Sequence, residues 1–254
     1  MNTILSIAGS DSGGGAGIQA DIKTGEYHDV FTTTVITAVT AQNTKGVQGV
    51  QALNTEFIEK QFDAVISDFN ISAIKIGMLG TKELIDMIKS KIKNQKIPIV
   101  LDPVAISRAG SKLLDDDCIY ELKKLFSLST VVTPNKYEAK EFFEVESIED
   151  IFYCDNYNTN VLFKDIDKNP DYAVDVLKTK EGKLKYFKQP RANESNTHGT
   201  GCSFSTSITA HLSKGYTLIE SIELSKKYIY EAICKAVNLG SGNGPIRHNL
   251  KNSQ

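Results

Sequence analysis

Residues 73–103 read AIKIGMLGTKELIDMIKSKIKNQKIPIVLDP. Ala73 to Ile76 is an apolar strand that stops at Gly77-Met78. Leu84, Ile85, Ile88 and Ile92 then recur at helical spacing and give one apolar stripe. Ile97 to Leu101 is a second strand, closed by Asp102-Pro103. Strand, helix and strand in succession require a crossover connection, and hence a parallel pair.

The same alternation extends in both directions. Towards the N-terminus, residues 3–9 form a strand running into Ser10-Asp11-Ser12-Gly13-Gly14-Gly15, and residues 16–27 can be helical. Val35 to Val39 is a strand ending near Gln42, and Ile58, Phe62, Val65, Ile66 and Phe69 stripe a helix. Towards the C-terminus, Ile119, Leu122, Leu125 and Phe126 mark a helix, and Thr130 to Thr133 a strand closed by Pro134-Asn135. A helix over about 136–143 and a strand over 161–163 follow. An antiparallel pair near 173–178 and 184–187 turns at Glu181-Gly182. Two helices finish the chain, the first from Thr200 with Phe204, Ile208 and Leu212. The second carries Ile222, Ile229, Ala232, Ile233, Ala236 and Val237. The pattern predicts one α/β domain over 1–254, a mostly parallel sheet with helices on both faces.

Composition agrees with a packed core. Of the 254 residues 41 % are hydrophobic and 24 % charged, and a chain of this size buries roughly 70–75 % of its unfolded surface without a staple. A net charge of −2 gives no electrostatic reason to expect nucleic acid or an anionic membrane. Cys118, Cys154, Cys202 and Cys234 stand far apart with no C-x-x-C pair, so reduced thiols and a cytoplasmic location are expected. The polar tail from Arg247 is expected to fray.

In open α/β sheets ligands bind beyond the carboxyl ends of the strands. Asp11, Gln42, Asp102, Asn135 and Lys164 close those strands, joined by the turn ahead of Cys202. In Asn196-Thr197-His198-Gly199-Thr200-Gly201-Cys202, Gly199 and Gly201 let bare N–H groups approach a ligand at a helix start. That is an anion hole suited to a transferring phosphoryl group, with Cys202 in the first turn, where a thiol pKa is lowered. A Gly-containing helix start with a small buried cysteine fits the same residue types. The segment Ser12–Gly17 fits neither a dinucleotide fingerprint nor a Walker loop, leaving a flexible loop or one that approaches a flat substrate. The dispersed histidines argue against a metal cluster. A hydrated Mg²⁺ beside nucleotide phosphates needs one or two carboxylates, for which Asp102 and Glu138 are the candidates.

Six ordered segments carry a resemblance. Ala8–Asp21 (AGSDSGGGAGIQAD), Thr40–Thr44, Lys75–Leu79, Asp102-Pro103-Val104, Thr133-Pro134-Asn135 with Glu138-Ala139, and His198–Cys202 resemble the bacterial hydroxymethylpyrimidine/phosphomethylpyrimidine kinases of thiamine biosynthesis. The likeness runs from residue 4 to about 248 and implies the ribokinase-like fold. It also implies two successive phosphorylations of 4-amino-5-hydroxymethyl-2-methylpyrimidine by ATP and Mg²⁺. By resemblance, Asp21 and Gln42 would hydrogen-bond the ring, and Gly9, Met78 and Val104 would line its pocket. Cys202 would act as base or orienting group at the anion hole of Gly199, Thr200 and Gly201. Asp102, Asn135, Glu138, Lys164 and Lys226 would serve the nucleotide and metal. The expected partners are the small-molecule pyrimidine and further copies of the chain, as a homodimer or other homo-oligomer.

The sequence departs from the family at two places. Lys164-Asp165-Ile166-Asp167 stands where the family usually has Lys-Gly-Gly-His. A carboxylate facing triphosphate weakens binding unless it turns outward or meets Mg²⁺. Residues 144–160 look compressed, with only Ser147–Ile151 able to form a short helix. Two other readings stay open: a pyridoxal or pyridoxine kinase, and a pyrimidine-binding protein that has lost ATP competence.

Overall fold

The computed structural model describes residues 1–105, 116–167, 169–192 and 195–251. Its strands are β1 (Thr3–Asp11), β2 (Phe31–Asn43), β3 (Gly46–Ala52), β4 (Ile71–Ile76), β5 (Ile99–Leu101), β6 (Val131–Val132), β7 (Asn160–Phe163), β8 (Tyr172–Lys178) and β9 (Leu184–Pro190). Its helices are α1 (Gly17–Tyr27), α2 (Thr55–Asp68), α3 (Lys82–Ile92), α4 (Asp116–Lys123), α5 (Lys136–Phe143), α6 (Ile148–Tyr153), α7 (Thr200–Ser213) and α8 (Leu218–Cys234). The strands form one sheet in the order β3-β2-β1-β4-β5-β6-β7-β8-β9. From β2 to β7 all neighbours are parallel, while β3, β8 and β9 add antiparallel edges.

Period-two alternation sorts the strand side chains into two layers. Leu5, Ile7, Ile74, Ile76, Ile99, Leu101, Val132, Val161 and Phe163 pack with Ile58 and Phe62 of α2, Ile85 and Ile88 of α3, and Phe142 of α5. On the opposite face Val100, Val131 and Leu162 meet Phe204 and Ile208 of α7 and Ile222 and Ile229 of α8, and Ile4 and Ala73 meet Ala210. Each fully buried Ile, Leu or Phe contributes about 1.5–3 kcal/mol. Ser6 and Lys75 also fall on this second face, paired in register across β1 and β4.

The structure departs from the sequence reading where little is buried. β2 is longer than expected and turns into β3, whose residues are all exposed; without a buried face, β3 leaves no hydrophobic pattern. The last helix stops at Cys234, so Ala236 and Val237 lie beyond it, with Val237 half exposed. Leu125 and Phe126 lie past the end of α4, Leu125 just before and Phe126 at the start of a 3₁₀ turn. The tail is better ordered than its composition suggests: the Arg247 N–H bonds the Ala232 carbonyl, and His248 and Leu250 are buried. Residues 252–254 lie outside the described residues. The short helix expected after Ser147 is α6, held by a reciprocal cap between Ser147 and Asp150.

Side chains cap α2 (Asn54), α3 (Thr81), α5 (Asn135), α6 (Ser147) and α8 (Thr217). Helices α1 and α7 begin without a side-chain cap. A helix start carries N–H groups with no intrahelical acceptor, and both bare ends lie at the carboxyl edge of the parallel strands.

Candidate active site

Asp11, Gln42, Asp102, Asn135 and Lys164 all lie at the carboxyl edge of the sheet, at or just past the ends of β1, β2, β5, β6 and β7. Gly199 closes over this edge with φ +80, and a Cβ there would lie 1.8 Å from the Gly15 carbonyl oxygen. Only glycine fits so close an approach. Asp11 locks the two loops together. Its carboxylate accepts from the N–H groups of Gly13 (2.8 Å), Gly15 (3.1 Å) and Ala16 (2.8 Å), and its Oδ2 lies 2.8 Å from His198 Nε2. Burial alone would raise the Asp11 pKa, but the His198 and backbone hydrogen bonds outweigh it and hold the carboxyl down at about 2. The glycine-rich loop is therefore a fixed wall of the site.

The other wall is charged. In α7 the Thr200 N–H and hydroxyl both bond the Thr197 carbonyl, the hydroxyl at 2.7 Å. The amides of Gly201 and Cys202 are left in the first turn without intrahelical acceptors. A Cβ on Gly201 would lie 3.6 Å from Asp102 Oδ2 and 3.7 Å from Lys164 Nζ. Lys164 Nζ donates to Asp102 Oδ1 at 2.8 Å, and Thr133 Oγ1 donates to the same oxygen at 3.1 Å. A bare helix start, an ammonium and a carboxylate thus converge on one point, a setting for phosphate.

Glu138 lies behind this point, 2 % exposed. Its Oε2 accepts from the Asn135 N–H at 2.9 Å and its Oε1 from the Ala105 N–H at 3.4 Å. Asn135 in turn accepts from the amides of Tyr137 and Glu138, so its side-chain oxygen caps α5. Burial, opposed by Lys164 and reinforced by Asp102, pushes the Glu138 pKa up to about 8. A carboxyl raised in the folded state stabilises the fold fully below its unfolded pKa near 4.5, and that contribution is lost as pH rises towards 8. Glu138→Gln should therefore gain on the parent by a few kcal/mol between those pH values. Urea unfolding of both proteins across that range measures the difference.

At the ring end of the cleft the expectations divide. Gly9 and Met78 meet, since a Cβ on Gly9 would lie 2.8 Å from Met78 Cε, while Gln42 Nε2 lies 3.4 Å from His198 Nε2. Val104, half-buried, lies just beyond Asp102, its N–H on the Asp102 carbonyl. Asp21 takes its bonds from deeper in the fold. It is fully buried, with Ser6 Oγ and Lys75 Nζ on one carboxylate oxygen and Thr206 Oγ1 on the other. Within the fold Asp21 is the counter-ion of Lys75.

The thiol is corrected. Burial pushes the Cys202 pKa up to about 11, against the lowering effect of Lys75, with Asp21 and Asp102 raising it further and the Gly17 N–H lowering it. The helix start alone does not yield a resting thiolate in this carboxylate-rich surround. Lys75, Thr206 and Ser6 were not among the residues expected at the site. Their signal was a lysine inside the apolar run Ala73–Ile76, because a buried charge requires a partner.

Lys226 donates to Asp175 Oδ2 at 2.6 Å, with both side chains nearly buried. Its charge is balanced by Asp175 within the fold. Asp175 Oδ1 accepts the Asp165 N–H at 2.8 Å. Asp165 takes φ +48, a left-handed conformation that aspartate tolerates better than most residues. Its carboxylate meets Arg191 in a two-pronged pair at 2.8 and 2.9 Å, while Ile166 is buried in the core. Of the two carboxylates that depart from the family pattern, that of Asp165 is neutralised by arginine. Arg191→Ala should free it beside Lys164 and raise KM for ATP roughly two- to fivefold. The effect should shrink as salt is added to the assay.

Parallel strands ending in a bare helix start, an ammonium and a thiol define a small-molecule kinase of the ribokinase-like class. The sequence profile of the family described as phosphomethylpyrimidine kinase matches residues 11–247, and the chain belongs to that family. It is 39 % identical to a hydroxymethylpyrimidine/phosphomethylpyrimidine kinase of Haemophilus influenzae, over 98 % of this chain and 97 % of the relative. A phosphomethylpyrimidine kinase structure from Clostridium difficile superposes with a TM-score of 0.79 at 38 % identity, covering 92 % of this chain and all of the other. An ADP complex of Bacillus subtilis pyridoxal kinase superposes with a TM-score of 0.88 at 31 % identity, over 98 % and 97 % of the two chains. Among the described residues no group of three or more metal-ligating side chains occurs and no helix is long and apolar enough to cross a membrane.

Proposed function

We propose that this chain transfers the γ-phosphoryl group of ATP to the hydroxymethyl arm of 4-amino-5-hydroxymethyl-2-methylpyrimidine, and then phosphorylates the monophosphate to the diphosphate. The observation that carries this is the convergence of the bare α7 start, Lys164 and Asp102 at Gly201, within a chain of this family. The amides of Gly201 and Cys202 would bind the equatorial oxygens as charge develops, and Lys164 would neutralise them; positioning and charge do most of the work in phosphoryl transfer. Gln42, Gly9, Met78 and Val104 would hold the flat ring so that its hydroxymethyl arm meets Cys202. A thiol raised to about 11 is protonated at neutral pH, where it orients the acceptor hydroxyl. The thiolate that forms as pH rises can take the hydroxyl proton.

A Mg²⁺ ion fits this site through Asp102, whose Oδ2 faces Gly201. Glu138 is tied to two backbone amides and would act through Asp102 and Lys164. When bound, the ion supplies charge neutralisation on the phosphates.

Mass spectrometry of a reaction with MgATP and the pyrimidine should show the monophosphate, then the diphosphate; absence of both defeats the proposal. The close superposition on a pyridoxal kinase favours a second reading, phosphorylation of a B6 vitamer, which shares a heteroaromatic ring with a hydroxymethyl arm. The ratio of kcat/KM for the two substrates decides between them. The reading carries with it a single kinase domain over 1–254, a cytoplasmic place of action and a homodimer or other homo-oligomer.

A further inference from the structure

Two helices start at the cleft, and their first turns run side by side. Cys202 is the third residue of α7 and faces the N–H of Gly17, the first residue of α1. One turn deeper in each helix, Thr206 Oγ1 donates to Asp21 Oδ1 at 2.7 Å. Residues four apart share a helix face, so the thiol–amide contact and the hydroxyl–carboxylate bond are consecutive rungs between the same two helices. The lower rung is buried completely, with Thr206 and Asp21 both 0 % exposed.

Beneath it lies the sheet. Ser6 and Lys75 are register partners on β1 and β4, on the face covered by α1 and α7. Lys75 Nζ reaches Asp21 Oδ2 at 2.9 Å. It also lies under the backbone at the end of β4, where a Cβ on Gly77 would meet it at 2.9 Å. An unpaired charge here would be strongly destabilising. Asp21 therefore holds the ammonium in place with one oxygen and α7 with the other.

We propose that Thr206, Asp21 and Lys75 form a positioning device for Cys202: the Thr206–Asp21 bond fixes the register of α7 on α1, and the Lys75 ammonium is anchored as a fixed charge below the turn that carries the thiol. The proposal rests on the assignment of Cys202 to the phosphoryl-transfer site. The charged groups that act on the thiol come from four elements or their ends: Lys75 on β4, Asp21 on α1, Asp102 after β5 and Lys164 after β7. Lys75 and Lys164 favour the thiolate, and the two carboxylates oppose it. Loss of the Thr206 hydroxyl takes a donor from Asp21 and loosens the amide rung, and both changes disfavour the thiolate.

Thr206→Val removes the hydroxyl and keeps the side-chain shape. Alkylation of Cys202 by iodoacetamide, followed by peptide mass spectrometry across a pH series, reads the thiol separately from Cys118, Cys154 and Cys234. The expected results are an alkylation profile displaced to higher pH and kcat lowered about tenfold, the scale of a hydrogen bond to a charged group. KM for both substrates should stay within about twofold, as for an interaction made in the transition state. Thr206→Ser should restore both readouts. An unchanged alkylation profile in folded Thr206→Val overturns the proposal, whatever happens to activity or melting temperature. If Thr206→Val does not fold, Thr206→Ala is read the same way. Failure of both to fold while Thr206→Ser folds normally assigns the bond to stability alone and overturns it too. Wild-type turnover by Cys202→Ala would instead defeat the assignment of Cys202, and the alkylation profile would still report the register.

Discussion

Cys202→Ala is expected to lower kcat for phosphorylation of the pyrimidine by about 10²–10³-fold, within the range for loss of a group that manages a proton in the transition state. KM for the pyrimidine and for ATP should stay within about threefold. In the proposed function the ring would be held by other residues, and the phosphates by backbone amides and Lys164, all of which this substitution leaves in place. The thiol is raised to about 11 by burial, so it is mostly protonated at neutral pH and the thiolate fraction grows with pH. The parent enzyme should therefore gain rate as pH rises above neutral, and the variant should not. A Cys202→Ala protein with parental kcat and the same alkaline rise would make the cysteine a packing group.

Sequence spacing carried the centre of the fold further than its edges. Within the run from Ala73 to Pro103 the strands are covered on both faces and α3 buries one stripe, so both had to show in the pattern of apolar residues. The hairpin formed by β2 and β3 did not show, because β3 buries nothing. The strand-end residues and the Gly199–Cys202 turn could be placed at the carboxyl edge because alternating strands and helices fix which strand ends share it. The role of Asp21 in the fold was not legible. A polar residue inside a shared motif can serve the substrate or serve the fold, and only the position of its partner separates the two. That partner, Lys75, comes from a strand more than fifty residues away. The effect of Asp165 was hidden in the same way, since Arg191 is distant in sequence and becomes its neighbour only when β8 and β9 pair.

Lys75→Met is expected to destabilise the protein by about 3–5 kcal/mol, because it leaves the Asp21 carboxylate buried without its counter-ion. In a chain of this length that corresponds to a fall in melting temperature of roughly 6–10 °C. The pair is 0 % exposed on both sides. Burial works against the Lys75 charge, but Asp21, with Cys202 and Asp102, outweighs it and raises the lysine above its usual range. The ammonium is thus present throughout the neutral range, and its stabilising effect is lost only as pH rises past the ordinary lysine range. Adding Asp21→Asn to Lys75→Met should recover more than half of the loss. The amide oxygen can accept from one of the Ser6 and Thr206 hydroxyls and its NH2 can donate to the oxygen of the other, and no charge is left buried. A double-mutant cycle by chemical unfolding measures this coupling directly; a Lys75→Met protein within about 1 kcal/mol of the parent would refute the account. If stability returns in the double variant while kcat does not, the ammonium serves the thiol above it as well as the fold.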